Sequence, residues 1–160
     1  MANYPLQISI WILGITALAG NIFVVVWRTA TERKQVSSFF IVNLAASDGL
    51  MGVYLLIIAG VDQYYRGTYI VHSASWRASA LCQLAGVLAT LSSELSVFML
   101  TAITADRATT LLFPLKFGQM RMKQARLVAA AAWIVCIFIS VLPVTKIPYF
   151  GNAFFGKTGQ

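Results

Sequence analysis

Two acidic residues lie inside long apolar stretches of the sequence, where an ionisable side chain is rare. Asp48 follows Ser47 in one stretch, and Glu94 lies among serines in another, shortly before Ser96. A carboxylate in hydrocarbon must be protonated, paired or bound to a cation, and no lysine or arginine lies near the middle of an apolar stretch. For Asp48 two interpretations have equal weight: a bound sodium ion or switchable proton, or a neutral carboxyl hydrogen-bonded to Asn21.

A third acidic residue, Asp106, stands next to Arg107 near the end of an apolar stretch. Adjacent opposite charges on a solvated helix end contribute under about 1 kcal/mol, so the plain interpretation is a surface pair. Pro114 follows at a short interval, and a basic loop comes after it. This arrangement favours a second interpretation, in which Asp106, Arg107 and Pro114 belong to a docking surface for a cytosolic partner.

The remaining residues that carry chemistry do not converge on a site. His72 is the only histidine, and a solvated loop position is a simpler interpretation for it than a metal ligand. Cys82 and Cys136 are expected at different depths of the membrane, too far apart to form a disulfide. No nucleophile, base and orienting group come together. The sequence therefore predicts no enzyme, no metal centre and no cofactor, apart from the sodium ion considered at Asp48.

The composition indicates a membrane protein. The chain of 160 residues is 59% hydrophobic and only 11% charged, whereas a soluble domain carries about a quarter charged residues. Apolar windows of about twenty residues, enough to cross a bilayer as a helix, cover residues 8–27, 39–61, 80–104 and 127–147. No basic segment precedes the first window, so we expect a retained anchor rather than a cleavable signal. The predicted fold is an all-α membrane protein with four transmembrane helices.

The third window belongs to a longer stretch, from Trp76 to Pro114, which the sequence predicts as one membrane-crossing helix. Cys82 and Arg107 are 25 positions apart. At about 1.5 Å per helical residue this distance is roughly 37 Å, which exceeds a hydrocarbon core about 30 Å thick. We therefore expect Cys82 and Arg107 on opposite sides of the membrane, with Glu94 near its middle.

The basic residues predict the orientation of the chain. Eight of them follow the first and third windows: Arg28, Arg33, Lys34, Arg107, Lys116, Arg121, Lys123 and Arg126. Four fall on the other side: Arg66, Arg77, Lys146 and Lys157. The positive-inside rule places the richer side in the cytoplasm and the N-terminus outside the cell. The net charge of +7 thus reflects the orientation of the chain in the membrane. We expect the lipid bilayer, not a nucleic acid, as the partner.

Taken together, these positions resemble the rhodopsin-like G-protein-coupled receptors. Each motif alone is a weak signal, but their order and spacing along nearly the whole chain make the resemblance specific. The matching positions, in chain order, are Gly20-Asn21, Leu44-Ala45-x-x-Asp48, Trp76, Cys82, Asp106-Arg107, Pro114-Leu115, Trp133 and Pro143. The resemblance covers the first four of seven helices, so it predicts the N-terminal half of a seven-helix receptor bundle.

Two short segments narrow the resemblance. Ser93-Glu94-Leu95-Ser96-Val97 and Arg66-Gly67-x-Tyr69-x-x-His72 are similar to the leucine-rich-repeat-containing receptors, the relaxin and glycoprotein hormone receptor group. Glu94 would be a mark of that subgroup, which favours a function for it without assigning a role. The resemblance implies a peptide or protein hormone as the extracellular ligand and a plasma-membrane location.

The family resemblance also implies roles for single residues. Asp106 would hold Arg107 in the resting state, and on activation Arg107 would turn toward a heterotrimeric G protein. Pro114 would form part of the same docking surface. Asp48, with Asn21 and Ser96, would form half of a sodium site.

Other matching positions would support the fold. Cys82 would form a disulfide with a cysteine that this chain does not contain, and Trp76, Trp133 and Pro143 would contribute to helix packing. One departure from the family is Ala108, which stands where the motif has a tyrosine.

Two alternatives to a signalling receptor follow from the sequence. The first is a truncated, non-signalling receptor that acts by pairing with intact receptors, because polar residues such as Asp48 and Glu94 need a protein cover in the membrane. The second is an unrelated four-span scaffold, which would leave Asp106-Arg107 and the spacing of Trp76 and Cys82 unexplained.

Overall fold

The computed structural model describes residues 4–31, 35–65, 69–112 and 120–144. Within these ranges the elements are α1 (Tyr4–Thr31), α2 (Val36–Tyr64), α3 (Tyr69–Ala78), α4 (Ala80–Leu112) and α5 (Met122–Val141), with a closing 3-10 turn at Leu142–Val144. Four of the helices, α1, α2, α4 and α5, are long and apolar enough to cross a membrane. The prediction of an all-α membrane protein with four transmembrane helices is confirmed.

Helices α1 and α2 extend beyond both ends of the apolar windows that predicted them, and α4 extends beyond the end of its window. Helix α5 begins before its window, at Met122, but ends at Val141, short of the predicted residue 147. The largest extension is at the end of α4, which continues to Leu112. Threonine hydroxyls there bond back to helix carbonyls, as Thr110 does to the Asp106 carbonyl oxygen at 2.7 Å. With 33 residues, α4 is about 50 Å long and protrudes from a hydrocarbon core about 30 Å thick. Arg107 therefore lies in the part of α4 that can leave the hydrocarbon.

The prediction of a single helix from Trp76 onward is wrong, because the helix is interrupted at Ser79. Trp76 lies in the short helix α3, and α4 begins at Ala80. The Ser79 hydroxyl oxygen accepts a hydrogen bond from the backbone N–H of Cys82 at 3.2 Å. This contact satisfies an otherwise unpaired donor in the first turn of α4, as serine does at the start of many helices.

Helix α2 holds the bundle together, since it contacts α1, α4 and α5. The buried core lies where α2, α4 and α5 meet and consists of Phe40, Leu95, Met99, Ala125, Ala129, Ala132 and Cys136. Most of its α5 members are alanine, which lets helix backbones approach closely in a membrane. Helix α1 thus packs on α2, whereas α5 packs on both α4 and α2.

Two further predictions concern Pro143 and the two cysteines. α5 gives way to a 3-10 turn that contains Pro143, as expected for a residue that lacks an N–H and collides with the preceding turn. Cys82, in the first turn of α4, and Cys136, buried in α5, are both free thiols.

Candidate functional site

A cluster of oxygen atoms joins α2 to α4 inside the membrane. The Ser96 hydroxyl donates to Asp48 Oδ1 at 2.5 Å, and the Oγ atoms of Ser47 and Ser96 are 3.1 Å apart. Ser47 is completely buried, while Asp48 and Ser96 are half-buried. Because Ser47 also donates to the Leu44 carbonyl oxygen at 2.8 Å, the cluster is tied to the backbone of α2.

The Asn21 side chain makes a hydrogen bond within its own helix, α1. Its Nδ2 donates to the Ala17 carbonyl oxygen, one turn earlier in α1, at 2.8 Å. The hydrogen bonds of the described residues do not join Asn21 to Asp48, so the neutral Asp48–Asn21 pair considered from the sequence is not formed in this arrangement. The structure thus brings Ser96 to Asp48 and leaves the inclusion of Asn21 a prediction.

The Asp48 cluster has the chemistry of a partial site for a hard cation. A carboxylate and two hydroxyl groups offer oxygen ligands, the type that such cations prefer. In the described part of the chain, no group of three or more histidine, cysteine, aspartate or glutamate side chains could hold a metal ion. The cluster thus contains one carboxylate and two hydroxyl groups that could contact a cation.

A second polar contact joins α2 to α5. The Trp133 indole Nε1–H donates to Asn43 Oδ1 at 3.1 Å, and Asn43 Nδ2 donates to the Phe39 carbonyl oxygen at 2.9 Å. The packing role predicted for Trp133 thus has a specific partner, which the sequence reasoning missed. The sequence did contain an indication of this partner, because Asn43 is a polar residue in the apolar second window.

We expect Trp133→Phe to lower the free energy of unfolding by about 1–2 kcal/mol, because it removes one hydrogen bond and part of a packed ring. Unfolding of the purified protein in micelles measures the change. Trp27→Phe is the matched control, since Trp27 is 59% exposed and its replacement is expected to change stability by under about 0.5 kcal/mol. Equal effects of the two substitutions would contradict the role of the Trp133–Asn43 contact.

Glu94 lies in the middle of α4 and is half-buried. Its Oε2 atom is inaccessible and has no hydrogen-bond partner among the described residues. A buried carboxyl oxygen without a partner is costly. The structure therefore places Glu94 in an unfavourable environment for a carboxyl group, and it does not assign Glu94 a role.

At the other end of α4, Asp106 and Arg107 occupy different environments. Asp106 is only 6% exposed, and its Oδ1 has no hydrogen-bond partner within the described ranges. Arg107 is exposed, and its Nη2 donates to the Ser37 hydroxyl oxygen of α2 at 2.7 Å. Ser37 is a residue that sequence reasoning missed, and its only signal was its place at the start of α2.

A polar cavity of about 500 Å³ adjoins this contact. Its lining residues come from the start of α2, the end of α4 and the start of α5: Gln35, Val36, Ser37, Asp106, Arg107, Met120 and Met122. Pro114, predicted to share this surface, lies outside the described residues. The pairing of Asp106 with Arg107 stays a prediction, since the hydrogen bond recorded for Arg107 goes to Ser37.

The opposite end of the bundle has a different character. Trp76 is 8% exposed and lines a mainly apolar cavity of about 440 Å³ with Tyr64 and Tyr65. The rings of Tyr65 and His72 stack with their centroids 5.5 Å apart. Together these contacts place α3 beside the end of α2 and the start of α4.

Comparison with known proteins identifies the family. Residues 20–149, most of the chain, match the 7 transmembrane receptor (rhodopsin family). The matched residues include the Asp48 cluster, the Trp133–Asn43 contact and the Asp106-Arg107 pair.

Individual relatives are receptors as well. G-protein coupled receptor GRL101 of Lymnaea stagnalis is 49% identical over 160 residues, which cover 99% of this chain and 14% of that protein. Relaxin receptor 2 of Canis lupus familiaris is 36% identical over 99% of this chain and 22% of its own length. The thyrotropin receptor of Sus scrofa is 36% identical over 89% of this chain and 19% of its own length.

The chain thus spans 14% to 22% of the length of these relatives. The resemblance to receptors of the relaxin and glycoprotein hormone group is confirmed by the relaxin and thyrotropin receptors among them. Since four membrane-spanning helices and a match over most of the sequence agree, the chain belongs to the rhodopsin family of seven-transmembrane receptors.

Proposed function

We propose that the intact protein is a plasma-membrane hormone receptor that activates a heterotrimeric G protein. In this proposal the extracellular ligand is a relaxin-like peptide or a glycoprotein hormone, as the names of the relatives suggest. The start of α1 faces the outside of the cell, because the larger number of basic residues follows α1 and α4. The G protein then binds at the end of the bundle that holds Arg107.

The observation that carries the proposal is the environment of Arg107. Its guanidinium group is exposed beside a polar cavity of about 500 Å³ and is held there by Ser37. A guanidinium group is always charged and offers several donors, so it suits carbonyl or carboxylate oxygens of a docking protein. Asp106, adjacent and buried with a free oxygen, offers a competing acceptor. Arg107 therefore has the choice of partners that a two-state switch needs.

Sealed vesicles of known orientation test both the activity and the topology. The intact protein is incorporated into inside-out and right-side-out vesicles, a purified G protein is added outside, and nucleotide exchange is followed with hormone in excess on both sides. We expect faster exchange with inside-out vesicles only. Exchange at the rate of protein-free vesicles in both preparations would refute the activity, and acceleration confined to right-side-out vesicles would refute the orientation.

We further propose that Asp48 and Ser96, with Asn21, take part in a sodium site. The carboxylate and hydroxyl oxygens that meet between α2 and α4 support this proposal, and a bound cation would offset the cost of an ionised carboxylate in the membrane. The cation would supply charge only, Ser96 would orient the Asp48 carboxylate, and Ser47 would contact Ser96.

We expect Asp48→Asn to weaken sodium binding by about tenfold or more, since it removes the negative charge and keeps the shape. The measurement is the sodium dependence of thermal unfolding of the intact protein, with potassium as the ionic-strength control. Thr90→Val is a matched substitution on the same helix, and we expect normal sodium dependence from it because the Thr90 hydroxyl bonds only its own helix, at Gly86. Unchanged sodium dependence in Asp48→Asn would contradict the proposed sodium site.

A further inference from the structure

Two methionines lie on the wall of the polar cavity beside Arg107. Met120 and Met122 both line this cavity, and both are half-buried. Arg121, between them, has an extended backbone conformation, with φ -77° and ψ 147°. Because the side chains on either side of an extended residue project to the same face, the two methionines share the cavity wall, while Arg121 is exposed.

The other described methionines have apolar surroundings. Met99 is 1% exposed and belongs to the buried core. Met51 is half-buried, as the two cavity methionines are, but it lies in the middle of α2, which is long and apolar enough to cross a membrane. Since polar molecules enter hydrocarbon at a high cost in free energy, a water-borne reagent reaches the cavity methionines more readily than Met51.

The cavity is suited to small polar molecules. Two of its lining residues, Gln35 and Arg107, are exposed, so the cavity reaches the protein surface. Asp106 also lines it and is 6% exposed, and its Oδ1 has no hydrogen-bond partner among the described residues. A buried polar atom without a protein partner commonly bonds water. Water, or a molecule that resembles it such as hydrogen peroxide, therefore finds an acceptor in the cavity that holds the two thioethers.

We propose that Met120 and Met122 are sites of reversible oxidation by hydrogen peroxide, and that their sulfoxides keep Arg107 from a docking G protein. The thioether sulfur gives two electrons to the peroxide. An S–O bond forms, the O–O bond breaks, and the remaining hydroxyl takes the proton of the transferred oxygen and leaves as water. Methionine sulfoxide reductases return the thioether. The effect on docking rests on the proposed function, whereas the oxidation does not.

A sulfoxide changes the contacts that Arg107 can make. A thioether sulfur is a weak hydrogen-bond acceptor, whereas a sulfoxide is polar and offers an oxygen. The Arg107 guanidinium group has five N–H donors, and its Nη2 donates to the Ser37 hydroxyl oxygen at 2.7 Å. A sulfoxide oxygen in the same cavity competes with a docking protein for the remaining donors. Met120 also packs against the buried core, and oxidation places a polar group at that contact.

Peptide mass spectrometry of the intact protein tests the modification. The protein in micelles is treated with dilute hydrogen peroxide, and the rate of sulfoxide formation is measured at each methionine. We expect Met120 and Met122 to oxidise at least about tenfold faster than Met51 and Met99, since the rate follows exposure to the oxidant. Met51 is the matched control, because it is also half-buried but lies in the apolar part of α2. A rate at Met51 equal to or above that of the cavity methionines would overturn the proposal.

Nucleotide exchange with inside-out vesicles of the intact protein tests the effect on docking. The vesicles are oxidised, the peroxide is removed with catalase, and the G protein is then added, so that only the receptor is modified. We expect oxidation to slow exchange by about threefold or more, and treatment with methionine sulfoxide reductases to restore it. The double variant Met120→Leu, Met122→Leu has no sulfur at the cavity, so we expect the same rate before and after its oxidation.

The rates before and after oxidation are compared within each variant, so a change in starting rate caused by the substitutions does not affect the result. No slowing of the wild-type protein would overturn the proposal. Equal slowing of the wild-type protein and the double variant would also overturn it, because other methionines would then be responsible. A rate before oxidation no higher than that of protein-free vesicles would refute the proposed function and the effect on docking, while the oxidation rates would still decide whether the cavity methionines are modified.

Discussion

Replacing Arg107 with alanine is expected to slow hormone-dependent nucleotide exchange by about tenfold to a hundredfold. A hydrogen bond of a charged group contributes about 1.5–3 kcal/mol, and each 1.36 kcal/mol corresponds to about a tenfold change in rate. Arg107 is exposed and donates a hydrogen bond to the half-buried Ser37. The substitution therefore removes the proposed docking group without opening the core, and we expect normal membrane insertion and normal hormone binding.

Two further variants separate docking from local structure. Ser37→Ala removes the 2.7 Å contact with Arg107 and leaves the guanidinium group in place, so we expect exchange to stay within about twofold of the wild-type rate. Arg107→Lys keeps the charge but loses the planar set of donors, and an intermediate rate is expected. If Arg107→Ala exchanged nucleotide at the wild-type rate, Arg107 would have no part in docking.

The positions of the transmembrane helices were predictable because burial in hydrocarbon requires about twenty apolar residues in succession. The 59% hydrophobic composition and the four apolar windows therefore predicted the fold class. The break at Ser79 was not predicted, because a single serine before an apolar run resembles any other small residue of a membrane helix. Only the geometry of the Ser79–Cys82 contact identifies it as a helix start.

The candidate sites were predictable where one residue is chemically conspicuous. Asp48 and Arg107 stand out in an apolar sequence, and both have specific partners in the structure. The partner of Asp48, Ser96, was among the predicted residues. Ser37, which contacts Arg107, and Ser47, which contacts Ser96, were not predicted site residues, since a serine in a membrane helix most often bonds its own backbone. Which serine meets another helix depends on how closely the helices approach and at what rotation, and no local pattern encodes this.

The approach of α1 to α2 depends on Gly52, and replacing it is expected to have the largest effect on stability. A Cβ atom at Gly52 would lie 2.8 Å from the backbone nitrogen of Leu18 and 3.1 Å from its Cα. Backbone atoms cannot rotate away, so Gly52→Ala forces the two helices apart. Overpacking of this kind costs about 1–3 kcal/mol, and we expect a loss of that size in the free energy of unfolding.

Gly60 in the same helix is the matched control, because a Cβ atom there would meet nothing within 4 Å. Without a clash, Gly60→Ala should follow intrinsic helix preference and raise stability by up to about 1 kcal/mol. The measurement is unfolding of both variants in the same micelles. We expect the free energy of unfolding to fall for Gly52→Ala and to rise for Gly60→Ala, although the change of side chain is the same. If Gly52→Ala were as stable as Gly60→Ala, the close contact of α1 with α2 at Leu18 would not exist in the membrane. The position of Asn21, one turn from Leu18 on α1, would then also need revision.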